Sequence, residues 1–219
     1  MPNRFSGHSI TCFRGERFVF EALDFSVESG EALVLTGPNG SGKSSLIRIM
    51  AGLLAAVDGR LEWNGESVSQ TPEDHHARLH YVGYQDAIKP VMTVRENLAF
   101  WAGLRGAPNG VAGALRIVGL GGIAEMPAQF LSSGQRRRLS LARIVASTAE
   151  VWLLDEPTVG LDRNAIGILE SLIAEHRAGG GMAVLATHQP IALGGDERRL
   201  DISRFAARRQ IFDDVEVGQ

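Results

Sequence analysis

Gly37-Pro38-Asn39-Gly40-Ser41-Gly42-Lys43-Ser44, with Ser45 next, is the stretch of this chain best equipped to hold a phosphate. Spaced glycines let a loop curl until successive backbone N–H groups face one point. A lysine then adds a mobile ammonium, and a hydroxyl residue can ligate a divalent metal. The loop follows the apolar run Ala32-Leu33-Val34-Leu35 and opens the amphipathic run Leu46-Ile47-Arg48-Ile49-Met50. The predicted order is therefore strand, loop, helix, with the positive end of the helix dipole behind the anion. Of the 22 basic residues only Lys43 and Lys89 are lysine. A slender ammonium fits between phosphate oxygens where a planar guanidinium would not, which is a physical reason for lysine at this point. A glycine turn arising by chance is the alternative that this stretch leaves open on its own.

A second chemical pair closes an apolar run, Val151-Trp152-Leu153-Leu154-Asp155-Glu156. Asp155 is suited to join the Ser44 hydroxyl around Mg²⁺, and Glu156 to orient and deprotonate an attacking water. The alternative is two acids ending a strand at a solvated loop. Other chemically capable residues read as structural. His75-His76 with His80 is an imidazole cluster of the kind that ligates haem or metal, yet it lies in a polar connection and is expected on a solvated surface. Arg136-Arg137-Arg138 is expected on the solvated face of a helix. Phe100, Trp101 and Leu104, at helical spacing, are expected in the core of a helical lobe.

The elements that must position these groups alternate. Strands are predicted at 9–13, 18–21 and 25–27, then at the run before the phosphate loop, with a tight hairpin at Asn64-Gly65 within 59–68. A strand over 79–84 delivers Gln85. Helices occupy 93–120, broken at Gly106-Ala107-Pro108-Asn109-Gly110, and continue over 135–147. The strand at 151–154, a helix over 166–177 and a strand at 182–186 ending at Thr187-His188 complete the order. Such alternation implies an α/β fold with a largely parallel core sheet, and ligands then collect at the carboxyl ends of the strands.

The 219 residues suit one domain, with 44% apolar and 21% charged residues as in an ordinary globular chain. No apolar run approaches the roughly eighteen residues of a membrane span, and the polar start Met1-Pro2-Asn3-Arg4-Phe5 is unlike a secretory signal. A single cysteine, Cys12, agrees with a reducing compartment. With net charge −3, nucleic acid is not an expected partner.

Leu131-Ser132-Ser133-Gly134-Gln135 adds a third signal. With the phosphate loop and the acidic strand end, it resembles the nucleotide-binding domain of ABC transporters. Gln85 matches that family's glutamine loop, Leu161-Asp162 its aspartate loop and His188 its switch histidine, all in the family's order. The resemblance implies a P-loop NTPase with an N-terminal antiparallel β subdomain and a small helical subdomain. The core and β parts would span about 1–85 and 150–219, and the helical part about 86–149. It also implies ATP with Mg²⁺ as ligands, Mg²⁺ being held by Ser44, Asp155 and Gln85. Two copies would pair head to tail, so that each ATP lies between Lys43 of one and Ser132, Ser133, Gly134 and Gln135 of the other, with Asp162 reporting across the interface. His188 would contact the γ-phosphate, and Gln85 would link metal occupancy to a membrane partner. Two residues depart from the family pattern. Ser133 stands where a glycine is usual, and Arg14, beside Phe13, stands where an aromatic usually stacks on adenine. An arginine plane stacks on a base through cation–π attraction, so Arg14 and Phe13 are both candidates for that role, with Phe13 reading equally well as a core residue.

Three further stretches narrow the match. They are Val82-Gly83-Tyr84-Gln85-Asp86-Ala87-Ile88-Lys89-Pro90, Thr93 to Trp101, and Ala186-Thr187-His188-Gln189-Pro190. These resemble the ATPase subunit of the cytochrome c maturation (Ccm) haem exporter, as do Ala128 to Arg138 and Arg14-Gly15-Glu16-Arg17. The resemblance implies a homodimeric, peripheral ATPase on the cytoplasmic face of a bacterial inner membrane. It would work with integral membrane Ccm subunits and couple indirectly to a periplasmic haem chaperone. Part of the Phe100, Trp101 and Leu104 stripe would then line the groove for a cytoplasmic helix of the membrane subunit. An ATPase for another ABC exporter, of drug, lipid or polysaccharide, and a soluble ATP-gated clamp are the competing functions.

Overall fold

A computed structural model describes residues 2–206, so the final stretch of the expected 150–219 segment, 207–219, lies outside the described residues. Two sheets divide the strands. In the antiparallel sheet, β1 (Arg4–Arg14) and β2 (Arg17–Glu28) form one long hairpin rather than the three short strands expected at 9–13, 18–21 and 25–27. Register shifts after Gly7, Ile10 and Cys12 break the two-residue alternation by which strands are recognised. β4 (Asp58–Trp63) pairs with β1 and turns through Asn64-Gly65, both at positive φ, into β5 (Glu66–Ser67), as the Asn-Gly dipeptide predicts.

The second sheet is parallel throughout. It contains β3 (Ala32–Thr36), β6 (Leu79–Val82), β7 (Val151–Asp155), β8 (Met182–Ala186) and β9 (Glu197–Asp201) in the order β6-β7-β8-β3-β9. Glu-Arg-Arg-Leu-Asp of β9 lacks an apolar signal because it is an edge strand facing solvent on one side. The helices are α1 (Lys43–Met50), α2 (Pro72–Arg78), α3 (Val94–Leu104), α4 (Val111–Ile117), α5 (Ser133–Ala146) and α6 (Arg163–Ala178). α5 and α6 begin earlier than the apolar periodicity suggests, because side chains cap them. Ser132 and Gln135 form a reciprocal capping box, and Asp162 accepts from the Ala165 N–H at 2.8 Å.

Three apolar clusters hold these layers. Leu33, Leu35, Leu153 and Val184 pack with Leu46, Ile47 and Met50 of α1 and with Phe5, Phe20 and Leu23 of the antiparallel sheet. The alternate residues Val34, Leu154 and Leu185 face the opposite way, onto Leu141 and Ile144 of α5 and Leu169 and Ile173 of α6. A parallel sheet covered on both faces explains its nearly continuous apolar strands. Val94, Leu98 and Ala102 of α3, Leu115 of α4 and Leu139 of α5 form the third cluster. Phe100 and Leu104 are not in it: both are exposed and Trp101 is half-buried, so the core stripe of α3 runs through 94, 98 and 102 instead.

Candidate functional site: a phosphate loop, an acidic strand end and a separate signature face

Strand register brings the chemical residues together. Leu35 of β3 and Asp155 of β7 both pair with Ala186 of the β8 strand between them. The segments leaving this level are the phosphate loop, Glu156 and Thr187-His188, at the carboxyl edge where open α/β sheets bind ligands. Gly42 ends the loop at φ 106°, and a Cβ there would lie 2.7 Å from the Phe20 and Val19 side chains, so only glycine fits. Lys43 is buried and donates from Nζ to the carbonyls of Gly37 and Pro38 at 2.8 and 3.1 Å. The Ser44 hydroxyl donates to Asp155 Oδ1 at 2.9 Å. The other carboxylate oxygen, Oδ2, is buried with no hydrogen-bond partner among the described residues, as is Ser41 Oγ. Burial raises the Asp155 pKa, against the Ser44 hydrogen bond, which lowers it.

This arrangement fits a hard, oxygen-ligated cation. A buried carboxylate with one unmet oxygen sits behind a hydroxyl that lines the cavity, and among the described residues no cluster of three or more His, Cys, Asp or Glu is placed to bind a metal unaided. Magnesium is held in this sparse way, by one or two protein oxygens with phosphate and water completing its shell.

A cavity of about 500 Å³ opens above the loop. Asn39, Gly40, Lys43, Ser44, Ser45, Glu156 and His188 line one side, and Arg14 and Arg17 of the β1–β2 hairpin line the other. Glu156 adopts φ 47°, rare for a residue with a side chain, and is held there by its N–H to the Ala186 carbonyl at 2.8 Å. Its Oε1 lies 3.3 Å from His188 Nε2, with His188 48% exposed and Glu156 16%. Arg14 lines this cavity on the hairpin side. Phe13 is not the expected core residue: it is 47% exposed and packs edge-on against Phe18, 5.1 Å between ring centres.

The signature segment lies apart. Ser132 and Ser133 are exposed at the start of α5, and Gly134 abuts the loop before α6, where an added Cβ would lie 2.9 Å from the Gly160 carbonyl. Gln135 is occupied in the capping box, donating its N–H to Ser132 Oγ at 3.2 Å and accepting from the Ser132 N–H at 2.9 Å. None of these four residues lines the phosphate-loop cavity of the same copy, nor do Asp162 and the exposed Gln85.

Three expectations for polar residues are overturned. Arg137 is only 4% exposed, with its guanidinium spent on loop carbonyls. His75 and His80 are buried, donating from Nε2 to the Met50 and Ser147 carbonyls at 2.8 and 3.0 Å. Burial lowers the pKa of both, that of His80 to about 4. Only His76 of the trio is exposed, so the three form no metal or haem site. Sequence reasoning also passed over Arg17, although as the hairpin partner of Arg14 it must face the same opening. Arg137 was legible too, since it precedes the buried Leu141 and Ile144 by four and seven residues on one helical face.

A second cavity, about 760 Å³, lies between α3 and the connection before β6. Leu53, Ala77, Leu79, Trp101 and Leu104 give it an apolar lining, and Arg105, Arg143 and Glu73 its charged groups. The Arg143 guanidinium stacks 3.7 Å above the Trp101 ring, and burial lowers its pKa to about 10.

Residues 20–159 match the ABC transporter family model. The cytochrome c biogenesis ATP-binding export protein CcmA of Rhodospirillum rubrum is 54% identical over 195 residues, covering 89% of this chain and 84% of that protein. The protein of the same name from Paramagnetospirillum magneticum is 50% identical over 212 residues, covering 94% and 97%. A putative ABC transporter ATP-binding protein from Pyrococcus furiosus shares the fold at TM-score 0.78 and 20% identity, over 93% of this chain and all of that one. A solved ATP-binding subunit of an ABC transporter, 25% identical, superposes at TM-score 0.76 over 84% of this chain and 79% of that one. Motif order, strand register and these likenesses together make the chain a member of the ABC transporter family, within its group of cytochrome c biogenesis ATP-binding export proteins.

Proposed function

We propose that this chain is the ATP-hydrolysing subunit of a Ccm-type export complex, acting in c-type cytochrome biogenesis by haem export or by release of a haem-loaded periplasmic chaperone. The observation that carries the reading is the convergence of Lys43, Ser44, Glu156 and His188 on one cavity. Lys43, held by neutral carbonyls, is free to exchange them for phosphate oxygens, which bind its ammonium more strongly. Ser44, Asp155 and Gln85 are the proposed magnesium holders, and the ion would neutralise charge developing on the phosphate oxygens. Glu156 accepts the proton of the attacking water, and His188 at 3.3 Å orients its carboxylate and reaches the terminal phosphate.

Hydrolysis on this reading needs two copies. Ser132, Ser133 and Gly134 lie outside their own copy's cavity and are free at the surface or against the Gly160 loop, the placement required of groups that complete a neighbour's site. The separate apolar cluster of α3, α4 and α5 supports the division into a helical part at about 86–149 and a core at about 1–85 and 150–219. The Trp101–Leu104 groove is proposed to accept a cytoplasmic helix of the membrane partner. Among the described residues no helix is long and apolar enough to cross a membrane, so attachment at the inner face of the bacterial inner membrane falls to that partner. The likeness to the export proteins of cytochrome c biogenesis supports Ccm membrane subunits in that role.

The test is to tag Glu156→Gln and capture it from detergent-solubilised membranes of its host. Turnover is expected to fall about 10²- to 10⁴-fold with nucleotide binding intact, as for loss of a general base. Ccm membrane subunits should copurify; another permease would discard the haem pathway, and unchanged turnover would discard Glu156 as the base.

A further inference from the structure

We propose that Arg137 is a positioning residue that transmits the placement of α5, the helix begun by the signature segment, to the backbone of Glu156. The inference rests on Glu156 being the general base. Arg137 stands five residues after the cap Ser132, and its side chain passes into the interior with 4% exposure. Its nitrogens reach two separate chain segments, 83–86 and 155–157. Nη2 donates to the Asp155 and Glu156 carbonyls at 2.9 and 2.7 Å, and Nε to the Pro157 carbonyl at 3.2 Å. Nη1 donates to the Gly83 carbonyl at 2.7 Å and to Asp86 Oδ1 at 3.3 Å, the two residues that bracket Tyr84-Gln85.

Packing alone does not require a guanidinium here. A buried charge whose only ionic partner among the described residues, Asp86, is part-exposed is expensive to desolvate, and an apolar side chain of similar length would fill the same volume. What the guanidinium adds is direction. Its planar fork fixes the peptide planes on both sides of Glu156, the residue held at φ 47°. The Glu156 backbone is therefore clamped from β8 by the Ala186 carbonyl and from α5 by Arg137. A shift of α5 toward or away from a second copy moves the second clamp and leaves the first in place. The carboxylate of the base then changes its aim with the position of the signature helix, while Gly83 and Asp86 carry the same shift to the glutamine segment. The phosphate loop has no contact with Arg137 among its hydrogen bonds, so nucleotide binding should not depend on the clamp.

The full-length chain, recovered with its membrane partners, tests this through a double-mutant cycle on turnover. Arg137→Met is expected to lower kcat about 30-fold or more while the affinity for a fluorescent ATP analogue stays within about 3-fold. In the Glu156→Gln background, single-turnover phosphate release should respond less than about 3-fold to the same change, because residues acting as one unit are non-additive. Arg137→Lys, which keeps charge without the fork, should recover only part of kcat, and it decides the cycle if Arg137→Met does not fold. Wild-type kcat in folded Arg137 variants, a loss undiminished by Glu156→Gln, or a parallel collapse of nucleotide affinity would each overturn the inference. Full activity of Glu156→Gln alone is a distinct outcome, which removes the base assignment and this inference together.

Discussion

Acid should destabilise this protein through His80, because burial penalises its protonated ring. The imidazole is buried at the start of β6, donates from Nε2 to the Ser147 carbonyl at 3.0 Å and has its pKa lowered to about 4, first by burial and then by the nearby Arg105 charge. In the unfolded chain it returns to about 6.5. Between these values the unfolded state binds a proton that the folded state refuses, so stability is fully present above about pH 6.5 and is lost as the pH falls toward 4. At pH 5.5 the unfolded histidine is about ten-elevenths protonated and the folded one almost neutral, which amounts to a loss of about 1.4 kcal/mol relative to pH 7.5. His75 and His176 are shifted the same way by burial, so the total acid loss is larger and a difference measurement is needed. Urea unfolding of wild type and His80→Gln at pH 7.5 and 5.5 isolates the term. Wild type should lose about 1.4 kcal/mol more than the variant over this interval. Equal pH slopes for the two proteins, or a titration midpoint for His80 near 6.5 by NMR, would refute the burial argument.

Two further outcomes follow from the cavities. Arg14→Ala should raise the KM for ATP about 2- to 30-fold, the range of a cation–π contact, while Phe13→Ala, on the opposite side of the hairpin, leaves it unchanged; steady-state kinetics on both variants decides between them. Leu104→Asp places a charge in the apolar lining of the α3 groove and should cut the yield of copurified membrane subunits about tenfold or more, with ATP-analogue binding unaltered. Undiminished recovery would remove the groove as the membrane contact.

How much of this site was legible in the sequence depended on whether a residue's role is set locally. The phosphate loop, Asp155-Glu156 and His188 each follow a short apolar strand, and in a parallel sheet the ends of such strands must meet at one edge. The Asn64-Gly65 hairpin was legible for the same reason, since two residues determine it. Roles set by distant segments were not. Whether Phe100 or Ala102 of α3 faces inward is decided by α4 and α5, and the bulges of β1 hid a hairpin that cross-strand pairing makes continuous.

The arginines carry this furthest. Arg105 donates to the His76, Ala77 and Leu79 carbonyls, and Arg177 to those of Gly30, Leu193 and Asp196. Together with Arg137 they use one device: a rigid fork of donors gathers several backbone carbonyls, within one short stretch for Arg105 and from segments far apart in sequence for Arg137 and Arg177. An ammonium, compact and strongly hydrated, offers no such span. The scarcity of lysine therefore has two sides. Lys43 is held by two carbonyls of its own loop, which on the proposed reading it exchanges for phosphate oxygens, and arginine stands where the chain is tied to itself. In the run Arg136-Arg137-Arg138 helical spacing marks Arg137 as the inward one, but its partners are not legible, because no local window of sequence contains the carbonyls of Gly83 and Asp155.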